Sequence, residues 1–193
     1  MNKMKKFLSL ALIILLLFTL IYPLNVFGAE ELDVYDKADV LNKLNLLSGD
    51  NGSYLLDEPL SRSQAAAFIT RLLGMEEYVL SNSDFYSSTK FIDVDINKWY
   101  APYIGYCTSQ GIIAGVDNLH YQPDENTTEK AFLKLLIVAL GYDYGTDFTW
   151  ANIYEKAYEI GLVEDSEYLT KTQDNTNYLR RDVVNAMYNA LTI

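Results

Sequence analysis

Few residues in this 193-residue chain could do covalent chemistry, and each can be weighed by its neighbours. Cys107 is the only cysteine and His120 the only histidine. A catalytic thiol needs a base beside it. Cys107 lies in the apolar run Tyr103-Ile104-Gly105-Tyr106-Cys107, which predicts a small buried residue instead. The stretch Asp93-Val94-Asp95-Ile96-Asn97 begins like a calcium loop. Its sixth position is Lys98 rather than glycine and its twelfth is Ile104 rather than a bidentate glutamate, so that reading fails. No His-Glu-x-x-His, Gly-x-Ser-x-Gly or phosphate loop is present. The expectation is a protein without catalytic residues, metal or cofactor, and not an enzyme.

Arg62 offers a different chemistry. Ser61 and Gln64 around it form a capping box, in which the hydroxyl accepts from a backbone N–H one turn on and the amide reaches back to the cap. Capping does not need the arginine. It projects from a helix N-terminus, where backbone donors and the helix dipole already favour an anion. The opening recurs at Thr127-Thr128-Glu129-Lys130-Ala131 and at Tyr178-Leu179-Arg180-Arg181-Asp182. The second copy has Glu129 and Ala131 where the first has its arginine and glutamine, so both cation and box are expected to be lost. The third keeps Arg180 and Asp182 but has Leu179 at the cap. The bland alternative is that Arg62 and Arg180 pair with neighbouring acids.

These openings sit in a block that recurs three times, with the plan helix A, turn, helix B. The A helices are expected at about 35–44, 99–110 and 150–160, ending at Asn45, Gly111 and Gly161, which tolerate the left-handed conformation. The B helices follow, with apolar stripes at Phe68, Ile69, Leu72 and Leu73, at Phe132, Leu135, Leu136, Ala139 and Leu140, and at Val183, Val184, Ala186, Met187, Ala190 and Leu191. Residues 75–90 read as a loop with one helical turn at most. A unit that cannot bury its own apolar face must stack on its copies, so the expected fold is mainly α, three helix-turn-helix repeats packed as a single pseudo-three-fold bundle. Tyr100, Tyr103 and Tyr106 recur every three residues along the second A helix and suit either a sugar, a protein interface or a half-buried seam.

Residues 1–28 read as an export signal: Lys3, Lys5 and Lys6, an apolar run from Phe7 to Tyr22, Pro23, and Val26-Phe27-Gly28 before a cut at Ala29. The competing reading is a retained anchor, although sixteen residues containing Ser9 and Thr19 are short for a span of ~20. The remaining 29–193 is expected to form one domain, with repeats at about 33–75, 91–142 and 147–193. It carries 12 Lys and Arg against 26 Asp and Glu, a net charge of −14. Such a chain repels nucleic acid, and with the signal removed it has no transmembrane segment.

Phe91-Ile92-Asp93-Val94, Trp99, Gly111-Ile112-Ile113, Tyr121-Gln122-Pro123-Asp124 and the B-helix opening form an ordered set that resembles the S-layer homology domain. The resemblance covers residues 33–193. It implies a secreted protein held noncovalently at the bacterial cell wall by a pyruvylated, anionic secondary cell-wall polysaccharide. The ligand would lie in grooves between repeats, with arginine forked onto carboxylate and an aromatic face on a sugar ring. Carried onto this chain, the carbohydrate-binding residues are Arg62, Arg180, Trp99, Trp150 and Asp93. At best two of three grooves keep the required residues. The alternative is a surface protein-interaction or S-layer-like self-assembly module with decayed glycan binding, whose partners are other surface proteins.

Overall fold

The computed structural model describes residues 32–50, 52–176 and 178–193. The expected export signal lies outside the described residues. Asp33–Ile193 forms one compact unit, built mainly from helices. In chain order the helices are α1 (Val34–Lys43), α2 (Arg62–Leu72), α3 (Glu76–Ser81), α4 (Ser83–Tyr86), α5 (Ala101–Ser109), α6 (Glu129–Ala139), α7 (Ile153–Glu159) and α8 (Arg180–Ala190). Short 3-10 turns occupy Trp150–Asn152 and Ser166–Leu169. Among the described residues no helix is long and apolar enough to cross a membrane.

The helices stop where the sequence said they would. Asn45, Gly111 and Gly161 all take positive φ, at 59°, 70° and 81°. In each case the following residue's amide returns to a carbonyl in the helix's last turn, as Leu46 does to Leu41 and Ile112 to Cys107. At the B-helix starts, Ser61 and Gln64 complete the expected box, with bonds of 3.2 and 3.1 Å. The second opening corrects the expectation in part. Thr128 still caps α6 by accepting from Ala131 N at 3.2 Å, and only the returning acid is missing. At the third, Leu179 has no side-chain acceptor, and Asp182 alone supplies a bond, from Leu179 N at 3.1 Å.

The loop expected over 75–90 is mostly helical. Helix α3 is fixed by buried Val79 and by Glu76, which binds Arg71 at 2.8 Å and accepts from the Tyr103 hydroxyl at 2.7 Å. Helix α4 lies so close to α5 that a Cβ at Gly105 would stand 1.7 Å from the Tyr86 carbonyl oxygen. Isolated apolar residues in a polar segment carry no periodicity, so this packing left no pattern to read.

Each A helix packs on the B helix before it: α5 on α2 and α7 on α6, while α1 packs on α8 and joins the start of the unit to its end. The B stripes are buried at Phe68, Ile69, Phe132, Leu135, Leu136, Val183, Val184, Ala186, Met187 and Ala190, partly buried at Leu72, Leu73, Ala139 and Leu140, and exposed at Leu191. Leu133 and Ile137 join the core as α6 is covered on more than one side. A buried side chain of this size contributes roughly 1.5–3 kcal/mol. Tyr100, Tyr103 and Tyr106 are all buried, so the seam reading of that row holds. Cys107 is buried too. Its thiol meets Thr70 Oγ1 and the Ala66 carbonyl, and burial pushes it up to about 11, while His120 pairs with Asp117 at 3.0 Å.

One polar pattern repeats at all three B-helix starts. The first two amides of α2, at Arg62 and Ser63, donate to the carbonyls of Glu125 and Pro123. Those of α6, at Glu129 and Lys130, donate to the Asn175 carbonyl and the Asp174 carboxylate. Those of α8, at Arg180 and Arg181, donate to the carbonyls of Glu58 and Leu56. Every B helix therefore has two of its orphan N–H groups satisfied by another stretch of chain. The links run from α2 to the turn before α6, from α6 to the turn before α8, and from α8 back to the turn before α2.

Candidate functional site

Those three links hold the first residue of each B helix in a seam, and what stands there decides the chemistry. Arg62 is half-buried. Its Nε donates to the Tyr121 carbonyl at 2.7 Å and its Nη2 to the Ala114 carbonyl at 3.4 Å, and the guanidinium lies 4.6 Å from the Tyr121 ring centre. The Tyr121 hydroxyl returns a bond to the Arg62 carbonyl at 2.9 Å. Arg180 is built the same way. Its Nε donates to Tyr54 O at 2.9 Å and its Nη2 to Ser48 O at 3.1 Å, over the Phe68 ring at 5.4 Å.

Neither guanidinium forms an ion pair among the described residues, in a chain with 26 acids. The bland alternative of ordinary acid pairing therefore fails for both. Carbonyls orient the two forks by Nε and Nη2, and no described group accepts from either Nη1. Arg180 is only 5% exposed, and burial, followed by the charge of Arg71, lowers its pKa. A cation held without a counter-charge in low dielectric is poised to gain from an anion.

Each arginine lines a cleft that also holds a tryptophan. Arg62 shares a cleft of about 650 Å³ with Trp150, Tyr144, Lys134 and Asp143. Arg180 shares one of about 270 Å³ with Trp99, Arg71, Gln64 and Asp50. The tryptophans are 46% and 54% exposed, so each ring keeps area for a ligand. Trp99 leans edge-on against Tyr100 and Tyr103, and Lys130 Nζ lies 5.3 Å from the Trp150 ring centre. The five expected residues thus sort into two pairs and one remainder.

Asp93 is that remainder, and it lines neither cleft. Its carboxylate accepts from Tyr121 N at 2.9 and 3.1 Å and from Gln122 N at 2.8 Å. Burial acts to raise its pKa, but the two amides outweigh it and hold the carboxyl below the usual range. It fixes the turn whose Tyr121 carbonyl orients Arg62, where Gln122 takes a φ of 60°. Asp93 is thereby a supporting residue of the first cleft.

The third seam is filled. Glu129, 2% exposed, stands where the other seams have arginine. Tyr168 donates to its Oε1 at 2.5 Å and Lys171 to its Oε2 at 2.6 Å, with the Tyr154 hydroxyl 3.3 Å away. Burial and the Glu129 carboxylate raise both tyrosine pKa values. Sequence reasoning had missed Lys134, Lys171 and Tyr168. Only Lys134 carries a visible signal, a cation set among the apolar residues Phe132, Leu133, Leu135 and Leu136.

Residues 90–132, which include Asp93, Trp99 and the opening of α6, match the family model of the S-layer homology domain. This stretch of the chain is similar to the S-layer homology domain. Relatives extend the likeness. The Middle cell wall protein of Brevibacillus brevis is 25% identical over 155 residues, 79% of this chain and 14% of that protein. The Cell surface protein of Thermoanaerobacter kivui is 30% identical over 125 residues, 64% of this chain and 16% of that protein. The Surface-layer 125 kDa protein of Lysinibacillus sphaericus is 26% identical over 196 residues, 91% and 16% respectively. The chain spans less than one-fifth of the length of each of these three relatives, and the likeness to them reaches well beyond the matched residues 90–132.

Proposed function

We propose that residues 29–193 form a three-repeat S-layer homology unit that anchors the protein noncovalently at the bacterial cell surface. The ligand is an anionic wall polysaccharide, bound through pyruvyl carboxylates in the two arginine–tryptophan clefts. Relatives named as cell-wall and surface-layer proteins support the surface location. The observation that carries the glycan reading is that Arg62 and Arg180 are fixed by carbonyls, free of acid partners among the described residues, and each share a cleft with an exposed tryptophan. A planar fork meets a carboxylate bidentately, and an indole face covers the apolar side of a sugar ring. With a net charge of −14 over residues 29–193, acidic polymer would be repelled everywhere else, which confines binding to these clefts.

Sedimentation with purified sacculi tests this reading. The protein is expected to pellet with native sacculi, and to stay in solution when the pyruvyl groups are removed or when Arg62→Ala and Arg180→Ala are combined. Equal pelleting in all three cases would discard it. A second reading, self-association into a surface lattice, is favoured by the exposure of Phe85, Ile92 and Ile96. Light scattering that shows a strict monomer at high concentration would count against it.

A further inference from the structure

The two clefts differ in how their second cation is held. In the Arg180 cleft the second cation is Arg71, already neutralised by Glu76 at 2.8 Å. In the Arg62 cleft it is Lys134, which forms no ion pair among the described residues. Lys134 Nζ donates to the Ile112 carbonyl at 2.8 Å and lies 5.3 Å from the Tyr144 ring centre. An ammonium has three donors, so a single carbonyl leaves it able to take an anion. Lys134 stands six residues after its cap, Thr128; six after Ser61 stands Ala67, which lines the other cleft and carries no charge. Burial lowers the Lys134 pKa, and Asp143, the acid in the same cleft, forms no ion pair with it.

We infer that the Arg62–Trp150 cleft takes a saccharide carrying two acidic groups, one on Arg62 and the second on Lys134, whereas the Arg180–Trp99 cleft takes one acidic group. The inference rests on the glycan reading and sharpens it by naming the charge count that each cleft selects. The larger cleft, about 650 Å³ against 270 Å³, has the room for a longer saccharide segment.

The chain contains two tryptophans, one in each cleft, so their indole N–H resonances report the two sites separately. The probes are digalacturonic acid with both carboxylates free and the same disaccharide with one carboxylate methyl-esterified. For the free diacid, the Trp150 resonance is expected to titrate about tenfold tighter than for the monoester, the worth of one charge-assisted hydrogen bond. The Trp99 resonance should not discriminate by more than about twofold, the statistical gain of a ligand that offers two carboxylates instead of one. Lys134→Gln should abolish the preference at Trp150 and leave the Trp99 titration unchanged, and Lys134→Arg should keep the preference. If Trp150 binds both probes alike, or if Lys134→Gln keeps the preference, the inference is overturned and the glycan reading stands. If neither resonance responds to either acidic saccharide, both fall.

Discussion

The first residue of α2 and the first residue of α6 occupy the same place in the hydrogen-bonding scheme, yet they do opposite things. At both, the leading amides are tied to a neighbouring turn, and the side chain enters the seam beside them. Arg62 meets only carbonyls and an aromatic face, and a cleft remains open next to it. Glu129 meets Lys171, Tyr168 and Tyr154, and the protein supplies every partner itself. The difference teaches that one seam geometry serves either recognition or cohesion, depending on whether the buried charge finds its partner inside the chain. An internally satisfied charge stabilises; a charge left open invites a ligand.

The sharpest way to break this contrast is to remove the internal partner. Glu129→Ala leaves Lys171 and the Tyr168 hydroxyl without their acceptor, while the Tyr154 hydroxyl keeps Gln173 O and Asp174, and should cost roughly 3–5 kcal/mol in urea unfolding. Where the variant remains folded, sacculus binding should be unchanged, because neither cleft contains Glu129. Lost binding in a folded Glu129→Ala protein would mean that the third seam takes part in recognition. Next in size, Arg62→Ala or Arg180→Ala should each weaken wall binding by roughly 1.5–3 kcal/mol, the worth of hydrogen bonds to a charged group. Arg62→Lys should recover only part of that, since an ammonium keeps the charge but not the fork.

A smaller effect should come from Asp93. Its lowered carboxyl pKa contributes stability that is fully present above the ordinary carboxylate value of 3.8 and is lost as pH falls through the lowered value. Asp93→Ala should cost about 2 kcal/mol at neutral pH by orphaning the Tyr121 and Gln122 amides, and should flatten the acid limb of the stability profile. A variant with an unchanged acid limb would show that this carboxylate does not govern it. The smallest effects belong to the caps. Ser61→Ala should lose about 1 kcal/mol, while Leu179→Thr should gain up to about 1 kcal/mol by giving α8 the hydroxyl that α2 and α6 already have. Thermal unfolding of the pair would measure both.

What could be read from the sequence follows from which signals are local. Helix stops at Asn45, Gly111 and Gly161, and the Ser61–Gln64 box, depend on residues a turn apart, and all were legible. Arg62 and Arg180 were legible as helix-start cations. The pairing of Arg62 with Trp150 and of Arg180 with Trp99 was not, since each joins residues far apart in the chain. The filled third seam was half legible. Glu129 marked the missing cation, but Lys171 and Tyr168 come from a 3-10 turn and the loop after it, with no periodicity to reveal them. The role of Asp93 was hidden for the same reason, because its partners are backbone amides of a later turn.

The most direct test follows the two indole N–H resonances while purified wall polysaccharide is titrated into the wild type and the two single arginine variants. Both resonances should move in the wild type; Arg62→Ala should silence Trp150 alone, and Arg180→Ala should silence Trp99 alone. Resonances that ignore the polymer, or that respond to the arginine of the opposite cleft, would contradict the account.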